Sequence, residues 1–255
     1  MPQIKHFEPK DYNPQTTTVW EFPYRGNWAT HEGSFRGNFS PYVPRNLLDK
    51  YTEEGDLILD PFLGGGTTSI EAKIMGRDVI GIDINPKFVA DAKLKVNFHY
   101  KDTEGKTYFK VGDARDMPYI PDASIDMIIT QPPCADLLQY SSAGKIPGDL
   151  SLMNPDDFIT ELHKVAAECF RVVKSNKYCA VAMSDIRRNG LIIPMGARVM
   201  NCFLEKGFVL RDNIVKIQHG CRDANDWGVK DNKFYLLMHE YIFVFKKPWQ
   251  DNNQN

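Results

Sequence analysis

A glycine-rich turn between an apolar stretch and a helix pattern is the first feature of the chain that indicates a ligand. Asp56-Leu57-Ile58-Leu59 has the composition of a short buried strand, and Asp60-Pro61-Phe62-Leu63-Gly64-Gly65-Gly66-Thr67-Thr68 follows it directly. A helix pattern then runs over 69–75 and ends at Gly76. Glycines let the backbone pass close to a ligand because they carry no Cβ, and the helix N-terminus offers unpaired N–H groups. Such a unit is typical of a mononucleotide site, a dinucleotide site or a plain tight turn.

Two further carboxylates narrow the choice of ligand. Asp83 ends a second strand pattern, Val79–Asp83, where a carboxylate is placed to accept both hydroxyls of a ribose. Asp113 lies near the end of a third pattern, Tyr108–Ala114, and suits the amino group of an adenine. The turn lacks the G-x-x-x-x-G-K-[ST] order of a triphosphate cradle and the G-x-G-x-x-G order of a dinucleotide site. These residues therefore favour a nucleoside with a small charged tail.

The same motifs, in this order, resemble the cofactor half of the DNA amino-methyltransferases of the restriction–modification type. The resemblance rests on Asp60-Pro61-Phe62-x-Gly64-x-Gly66-Thr67-Thr68 and on Gly76-Arg77-x5-Asp83-Ile84-Asn85-Pro86. It is close over about residues 35 to 90, looser to about 247, and implies S-adenosylmethionine as the cofactor. Gly37-Asn38-Phe39-Ser40-Pro41 resembles the family element at the methionine end of the cofactor, so Asn38 and Ser40 are expected at its carboxylate. The expected cofactor-binding residues are Asn38, Ser40, Asp60, Phe62, Gly64, Gly66, Thr67, Asp83, Ile84, Asp113 and Ala114.

The end of the fourth strand pattern, Ile125–Thr130, carries the expected catalytic residues Gln131-Pro132-Pro133-Cys134. The family has Ser, Asp or Asn at the first position, then Pro-Pro, then an aromatic residue. There, an acceptor and the backbone carbonyl of the first proline localise the lone pair of an exocyclic amine, and the aromatic ring stacks on the extruded base. Gln131 keeps an acceptor oxygen one carbon further out, whereas Cys134 cannot stack on a base. The resemblance implies a site-specific DNA methyltransferase acting on a flipped-out base, with cytosine N4 as the leading target.

The cysteine also suggests a different target atom. Pro133-Cys134 resembles the Pro-Cys pair of the cytosine-5 methyltransferases, in which the thiolate adds to C6 of cytosine. That mechanism needs an acid to protonate N3 of the ring, and Asp185 after the fifth strand is placed for it. Further alternatives stay open: methylation of adenine N6, methylation of RNA or a small molecule, and a non-catalytic protein that binds S-adenosylmethionine or DNA.

The charge pattern gives the expected contacts with nucleic acid. The formal net charge is −2, so a surface that binds DNA has to be local. The expected contacts are Arg187, Arg188, Lys216, Arg222 and Trp227, and the polar stretch 218–235 is the candidate DNA-recognition loop. Since the chain leaves no room for a large recognition domain, loops would read a short site in double-stranded DNA, in a monomer or a homodimer. A cognate restriction nuclease is a further partner that the resemblance allows.

The elements that position these residues predict an α/β protein. Four strands alternate with helices up to residue 130, which favours a parallel sheet with right-handed crossovers. Further strands are expected at Tyr178–Met183, at about 208–217 and at His239–Lys246, the last two antiparallel to each other. The resemblance implies the class I methyltransferase Rossmann-like fold, a seven-stranded, mostly parallel sheet with helices on both faces and one antiparallel strand.

The whole chain, 1–255, is expected to form a single methyltransferase domain. Residues 1–45 form an N-terminal arm whose last part lines the cofactor, and its aromatic stretch Trp20–Trp28 either packs over the sheet or acts as a lid or DNA-contacting arm. Hydrophobic residues make up 42% and charged residues 25%, as is ordinary for a globular protein. No apolar run has the length of a membrane span, and no C-x-x-C pair indicates zinc or disulfides. The first residues lack signal-peptide character, so the cytosol is the expected compartment.

Overall fold

One eight-stranded sheet forms the centre of the molecule. The computed structural model describes residues 4–35, 37–141, 146–219 and 234–249. Within them the strands are β1 (Val19–Glu21), β2 (Leu57–Asp60), β3 (Asp78–Asp83), β4 (Thr107–Val111), β5 (Ile125–Thr130), β6 (Val173–Met183), β7 (Ile186–Arg188), β8 (Leu191–Ile193), β9 (Val209–Ile217) and β10 (His239–Lys246). The α-helices are α1 (Tyr42–Tyr51), α2 (Thr67–Ile74), α3 (Pro86–Lys95), α4 (Pro155–Val172) and α5 (Met195–Leu204).

The order of the strands places the ends of β2, β3 and β5 next to one another. Across the sheet the order is β1-β9-β10-β6-β5-β2-β3-β4. β10 runs antiparallel to its neighbours β6 and β9, and the other neighbouring pairs are parallel. The predicted mostly parallel sheet with one antiparallel strand is confirmed. The chain order reverses between β2 and β5, and in such sheets ligands bind at the C-terminal ends of the strands beside this reversal.

The sheet has one strand more than the seven predicted. β1 pairs in parallel with β9 at the edge of the sheet, with Trp20 beside Lys216. The indole of Trp20 is buried, and its Nε1 donates to the carbonyl of Thr17 at 2.9 Å. A strand of three residues is too short for an alternating pattern to be recognised. The aromatic stretch of the N-terminal arm therefore extends the sheet.

Helices cover both faces of the sheet because side chains alternate along each strand. One face packs against α4 and α5, and the other packs against α1. The first face carries Leu59, Ile128, Val181 and Phe243, and the second carries Ile58, Met127, Ala180 and Ile242. All eight side chains are at most 3% exposed, so the core forms two apolar layers around the sheet.

Helix α3 ends earlier than the sequence pattern indicates. The pattern continues to about residue 100, whereas the helix ends at Lys95. Just beyond this end, Lys73 Nζ donates to the carbonyls of Val96 and Phe98 at 3.1 and 2.6 Å. Carbonyls at the end of a helix need such partners, and here a side chain from α2 supplies them.

Among the helices of the described segments, none combines the length and the apolarity that a membrane crossing requires.

A short hairpin follows β6, formed by β7 and β8. Arg188 lies opposite Leu191 in this antiparallel pair. Asn189 and Gly190 join the strands with φ of 51° and 80°. A two-residue type I′ turn needs positive φ at both positions, and Asn-Gly is the sequence that favours it. The Asn-Gly pair is therefore a sequence signal for a hairpin that the strand patterns did not predict.

The carboxylate of Glu71 holds the N-terminal arm against α2. Its side chain is fully buried. Oε1 accepts Trp28 Nε1 at 2.6 Å and lies 2.7 Å from His31 Nε2, while Oε2 accepts Arg45 Nη1 at 2.9 Å. A carboxylate loses its hydration on burial, so these partners have to replace the water. Because α2 begins directly after the glycine-rich turn, the arm is fixed beside that turn.

Replacing Glu71 by alanine should destabilise the fold strongly. Glu71→Ala leaves Arg45 buried without its carboxylate, and removal of one partner of a buried ion pair costs about 3–5 kcal/mol. We expect a fall of this size in the free energy of unfolding, measured by urea denaturation. The matched control Glu53→Ala, at an exposed position in the loop before β2, should change it by about 0.5 kcal/mol or less. Equal effects of the two variants would contradict the proposed importance of the buried cluster.

Candidate active site

A cleft opens where the C-terminal ends of β2, β3 and β5 meet, and it encloses about 820 Å³ including its mouth. The glycine-rich turn forms part of its wall. Gly64 and Gly66 have φ of 46° and 79°, in the left-handed region that favours glycine. A Cβ on Gly65 would come within 3.2 Å of the ring of Phe35 and of the amide of Asn38. The turn therefore needs glycine both for its backbone conformation and for its close approach to the N-terminal arm.

Most of the predicted cofactor residues contact this cleft. They are Asn38, Asp60, Phe62, Gly64, Thr67, Asp83, Ile84, Asp113 and Ala114. Gly66 shapes the turn from behind, as the residue before the first residue of α2. The motifs of the sequence and the geometry of the cleft thus indicate the same place for the cofactor.

Asp60 connects the glycine-rich turn to the neighbouring strand. Its Oδ1 accepts the N–H of Phe62 at 3.2 Å and the hydroxyl of Thr130 at 2.9 Å. Burial raises the pKa of Asp60 to about 6. Thr130 is the last residue of β5 and precedes Gln131 directly. The carboxylate therefore sets the position of the turn relative to the expected catalytic residues.

Asp83 ends β3 and presents its carboxylate to the cleft. Oδ2 accepts the N–H of Gly64 and Oδ1 accepts the N–H of Asn85, both at 2.9 Å. Each oxygen keeps a second lone pair, so the carboxylate is able to accept the two hydroxyls of a ribose as well. Burial raises the pKa of Asp83 to about 6, which leaves it mostly ionised at pH 7. The cleft therefore fits the nucleoside part of S-adenosylmethionine.

Asp113 also contacts the cleft, but Arg115 already binds its carboxylate. Oδ1 accepts the N–H and Nε of Arg115, both at 2.9 Å, and Oδ2 accepts Nη2 at 2.6 Å. Burial acts to raise the pKa of Asp113, and the bonds from Arg115 outweigh burial and lower the pKa. A contact between Asp113 and an adenine amino group therefore requires Arg115 to share the carboxylate.

The N-terminal arm contributes Asn38 to the cleft but not Ser40. Asn38 Nδ2 donates to Thr67 Oγ1 at 3.3 Å, beside the glycine-rich turn. The hydroxyl of Ser40 donates to the carbonyl of Arg25 at 2.8 Å and accepts the N–H of Tyr42 at 3.4 Å, at the start of α1. Ser40 lies on the wall of a neighbouring cavity. The structure thus contradicts the predicted contact between Ser40 and the cofactor.

A second, larger cavity lies beside the cofactor cleft and encloses about 2,080 Å³ including its mouth. Pro132 and Cys134 contact this cavity, while Gln131 and Pro133 contact both spaces. The residues that the two spaces share are Gly37, Asn38, Phe39, Gln131, Pro133 and Tyr140. The end of β5 therefore stands between a site for a cofactor and a site for a second molecule, as the transfer of a small group between them requires.

Cys134 lacks the environment of a nucleophilic cysteine. Its thiol donates to the carbonyl of Ser184 at 3.2 Å, and burial, together with Asp185 and Asp136 nearby, raises the pKa of Cys134 to about 12. A nucleophilic cysteine needs a lowered pKa, which positive charge provides. The surroundings of Cys134 therefore favour a protonated thiol, and its attack on C6 of cytosine stays an alternative prediction.

Asp185 lies at the start of α5 and on the wall of the second cavity. Its Oδ1 accepts the N–H of Gly196 at 2.8 Å, in the first turn of the helix. The predicted catalytic role of Asp185 stays a prediction.

Two of the predicted DNA contacts have acidic partners inside the protein. Lys216 Nζ donates to Glu240 Oε1 at 2.7 Å, and both side chains are buried. Arg188 forms an ion pair with Asp136. Lys216 is therefore little exposed, whereas Arg188 keeps an exposed side chain, and the DNA contacts of both residues stay predictions. Arg222 and Trp227 lie outside the described residues, as does the part of the recognition loop from 220 to 233.

Arg187 contacts the second cavity and keeps an unused donor. Its guanidinium donates to the carbonyls of Gly190 and Tyr235 and lies 4.3 Å from the ring centroid of Phe234. Its buried Nε has no acceptor among the described residues, and the same holds for Nε and Nη2 of Arg25, a second wall residue of this cavity. These three nitrogens have almost no accessible surface, so other atoms of the two side chains form the wall of the cavity.

Several side chains at the cleft carry no recognisable motif. They are Phe35, Phe88, Tyr140 and Asp149. Phe88 follows Pro86 in the first turn of α3, so its proximity to the cleft was predictable from the helix start. Phe35, Tyr140 and Asp149 lie in stretches without periodicity, where nothing in the sequence indicated that they meet.

The affinity for S-adenosylmethionine should depend on pH through Asp83. Ribose hydroxyls donate to the ionised carboxylate, so binding should be constant above pH 7 and weaken as pH falls below about 6, where Asp83 gains a proton. Asp83→Asn removes one acceptor and the titration, and we expect about 1–3 kcal/mol weaker binding at pH 7. Isothermal titration calorimetry between pH 5 and pH 8 measures both effects.

Asp60 also has a pKa of about 6, and both the wild type and Asp83→Asn contain it. A pH dependence that is present in the wild type and absent in Asp83→Asn is therefore due to Asp83. Asp91→Asn, at an exposed position on α3, is the matched control and should bind like the wild type. Unchanged affinity of Asp83→Asn, or an unchanged loss of affinity below pH 6, would disprove the assignment of Asp83 to the ribose.

Comparison with solved structures supports the fold described above. An S-adenosylmethionine-dependent methyltransferase from Methanosarcina mazei superimposes with a TM-score of 0.56 at 18% sequence identity. The match covers 80% of this chain and 98% of that chain. At this level of identity the similarity concerns the fold alone.

Curated relatives match shorter parts of the chain. A tRNA (guanine(10)-N2)-dimethyltransferase from Methanothermobacter thermautotrophicus is 34% identical over 137 residues, which are 52% of this chain and 37% of that protein. The Type II methyltransferase M.BsoBI from Geobacillus stearothermophilus is 49% identical over 61 residues, which are 24% of this chain and 11% of that protein. The chain thus spans little more than a third of the first of these relatives and about a tenth of the second.

A family model matches most of the sequence. The model describes the N6/N4 DNA methylases, and it matches residues 2–94 and 125–255. These ranges contain the N-terminal arm, the glycine-rich turn, Asp83 and the Gln131-Pro132-Pro133-Cys134 segment. The chain belongs to the N6/N4 DNA methylase family, and its cofactor is S-adenosylmethionine.

Proposed function

We propose that this protein is a DNA methyltransferase that acts on the exocyclic amine of a flipped-out base, with N4 of cytosine as the leading target. The observation that carries the proposal is the position of Gln131 and Pro133 between the cofactor cleft and the second cavity. Without its open mouth the second cavity measures about 590 Å³, within the usual range of a ligand site, which is enough for an extruded base.

Gln131 and Pro132 have the groups that this chemistry needs. Bound S-adenosylmethionine supplies an electrophilic methyl group. The lone pair of an exocyclic amine is delocalised into the ring, so the amine is a weak nucleophile until its hydrogens are held by acceptors. The carboxamide oxygen of Gln131 and the carbonyl of Pro132 are two such acceptors at the end of β5. A bond from the nitrogen to the methyl carbon would break the carbon–sulfur bond and leave S-adenosylhomocysteine. The methylated amine would then release one proton to solvent through the open second cavity.

The walls of the second cavity support a substrate rich in hydrogen-bond acceptors. Arg25 and Arg187 lie on these walls, and their described hydrogen bonds go to backbone carbonyls. Base carbonyls and phosphate oxygens are acceptors that such guanidinium groups bind in nucleic acids.

DNA is the favoured nucleic acid, and RNA is the second candidate. The family model names DNA, and the similarity to Type II methyltransferases supports a companion restriction nuclease that reads the same site. The similarity to a tRNA (guanine(10)-N2)-dimethyltransferase supports RNA, since N2 of guanine is an exocyclic amine as well. Both candidates use the same chemistry at Gln131 and differ in the surface around the cavity.

Nucleoside mass spectrometry tests this function directly. The protein is expressed in a host without DNA methylation, and the modified nucleosides of its DNA and RNA are identified against chromatographic standards. We expect N4-methylcytosine in DNA. Gln131→Ala should lower the rate about 100-fold or more, because loss of one positioned hydrogen-bond partner in a transition state has effects of this order. Gln139→Ala, an exposed glutamine outside both cavities, is the matched control and should act like the wild type.

Cys134→Ser distinguishes the amine from carbon 5 of the ring. We expect the serine variant to keep its activity, since the thiol is protonated and serves no step. C5-methylcytosine that disappears in this variant would contradict the amine target. N6-methyladenine would change the base but keep the chemistry, and a methylated guanine in tRNA without any change in DNA would favour the RNA candidate. No methylated nucleoside in either nucleic acid would contradict the catalytic function.

A further inference from the structure

We propose that Tyr140 supplies the aromatic surface on which the extruded base stacks, in place of the aromatic residue that is missing at Cys134. The inference rests on the proposed function, since it concerns the base that enters the second cavity. The catalytic segment Gln131-Pro132-Pro133-Cys134 contains no aromatic side chain. A thiol at position 134 has no flat surface, whereas a base taken out of a helix loses its stacking partners and needs a new one.

The location of Tyr140 fits this role. Among the described residues, Phe39 and Tyr140 are the aromatic side chains that contact both the cofactor cleft and the second cavity. Phe39 is 6% exposed and packs into the core beneath the sheet, so little of its ring is available. Tyr140 is partly exposed and lies six residues after Cys134. Like Gln131, Tyr140 therefore contacts both the cofactor cleft and the second cavity.

Its ring is held in place by two other aromatic residues. The ring of Phe35 lies nearly parallel to it, with 5.6 Å between centroids and 14° between planes. The ring of Phe88 stands edge-on to both, at 85° to Tyr140 and at 76° to Phe35. The backbone N–H of Tyr140 donates to Ser151 Oγ at 3.0 Å. A fixed ring loses little conformational entropy when a base packs against it, so the group is preorganised for stacking.

Gly37 makes room for the phenol at this junction. It has φ of 84°, and a Cβ there would overlap the hydroxyl of Tyr140. The position thus has two reasons to be glycine, the backbone conformation and the contact with Tyr140. Gly37 also contacts both spaces, as do Tyr140, Gln131 and Pro133.

The test compares three variants on one DNA substrate. The substrate is a synthetic duplex that carries a site mapped by sequencing the methylated host DNA, and a second version has pyrrolo-cytosine in place of the target cytosine. Tyr140→Leu keeps an apolar side chain without a flat ring, and Tyr140→Phe keeps the ring. Tyr108→Ala, on the edge strand β4 and 51% exposed, controls for the loss of a tyrosine outside both cavities.

We expect Tyr140→Leu to lower kcat/KM for the duplex about tenfold to a hundredfold, the range that loss of one base–aromatic stacking contact produces. Because Tyr140 also contacts the cofactor cleft, kcat/KM is measured at a saturating concentration of S-adenosylmethionine, and an unchanged circular dichroism spectrum shows that the variant is folded. Tyr140→Phe should restore most of the lost activity. Stacking quenches pyrrolo-cytosine, so the duplex bound to Tyr140→Leu should fluoresce more brightly than the duplex bound to the wild type.

The outcomes separate this inference from the proposed function. If the wild type methylates the duplex and Tyr140→Leu matches Tyr108→Ala in rate and fluorescence, the role of Tyr140 is disproved and the function stands. Loss of activity in both Tyr140 variants would also disprove stacking, because the ring alone would then not suffice. A wild type that methylates no DNA would overturn the proposed function together with this role.

Discussion

A buried negative charge connects the two parts of the chain that form the active site. Glu71 belongs to α2, behind the glycine-rich turn, and its donors Trp28 and Arg45 belong to the N-terminal arm. In the sequence these donors lie on either side of Gly37, Asn38 and Phe39, which contact both the cofactor cleft and the second cavity. Desolvation of the carboxylate is tolerable only while its partners are present. The position of the arm is therefore determined by electrostatics as well as by apolar packing.

The remaining geometry of the site follows from two central strands. β2 ends in the glycine-rich turn and β5 ends in the catalytic segment, and the hydrogen bond between Asp60 and Thr130 joins the two ends. Both strands lie in the middle of the sheet, with helices on either side. Since the core fixes both strands, the distance between the cofactor and Gln131 is set before any ligand binds. Such preorganisation is what a transfer of one carbon over a short distance requires.

The fold and the cofactor half were predictable because they depend on local sequence. Runs of apolar residues predicted the strands, and the glycines predicted the turn after β2. Acidic residues indicated where the strands end. Contacts between distant parts of the chain were not predictable in this way. Whether Cys134 is reactive depends on its burial and its acidic neighbours, and whether Lys216 is available depends on the register that places Glu240 beside it. The meeting of Phe35 with Tyr140 likewise exists only in the folded protein.

The ladder between β9 and β10 has a consequence for the chain that connects the two strands. Ile217 pairs with His239, and the N–H of Gln218 donates to the carbonyl of Met238 at 2.9 Å. Gln218 and Met238 also contact the second cavity. The sheet thus determines where the chain leaves β9 and where it enters β10, and both points lie at the rim of that cavity. The span between these two points is a property of the ladder, and it sets the shortest connection that is able to join the strands.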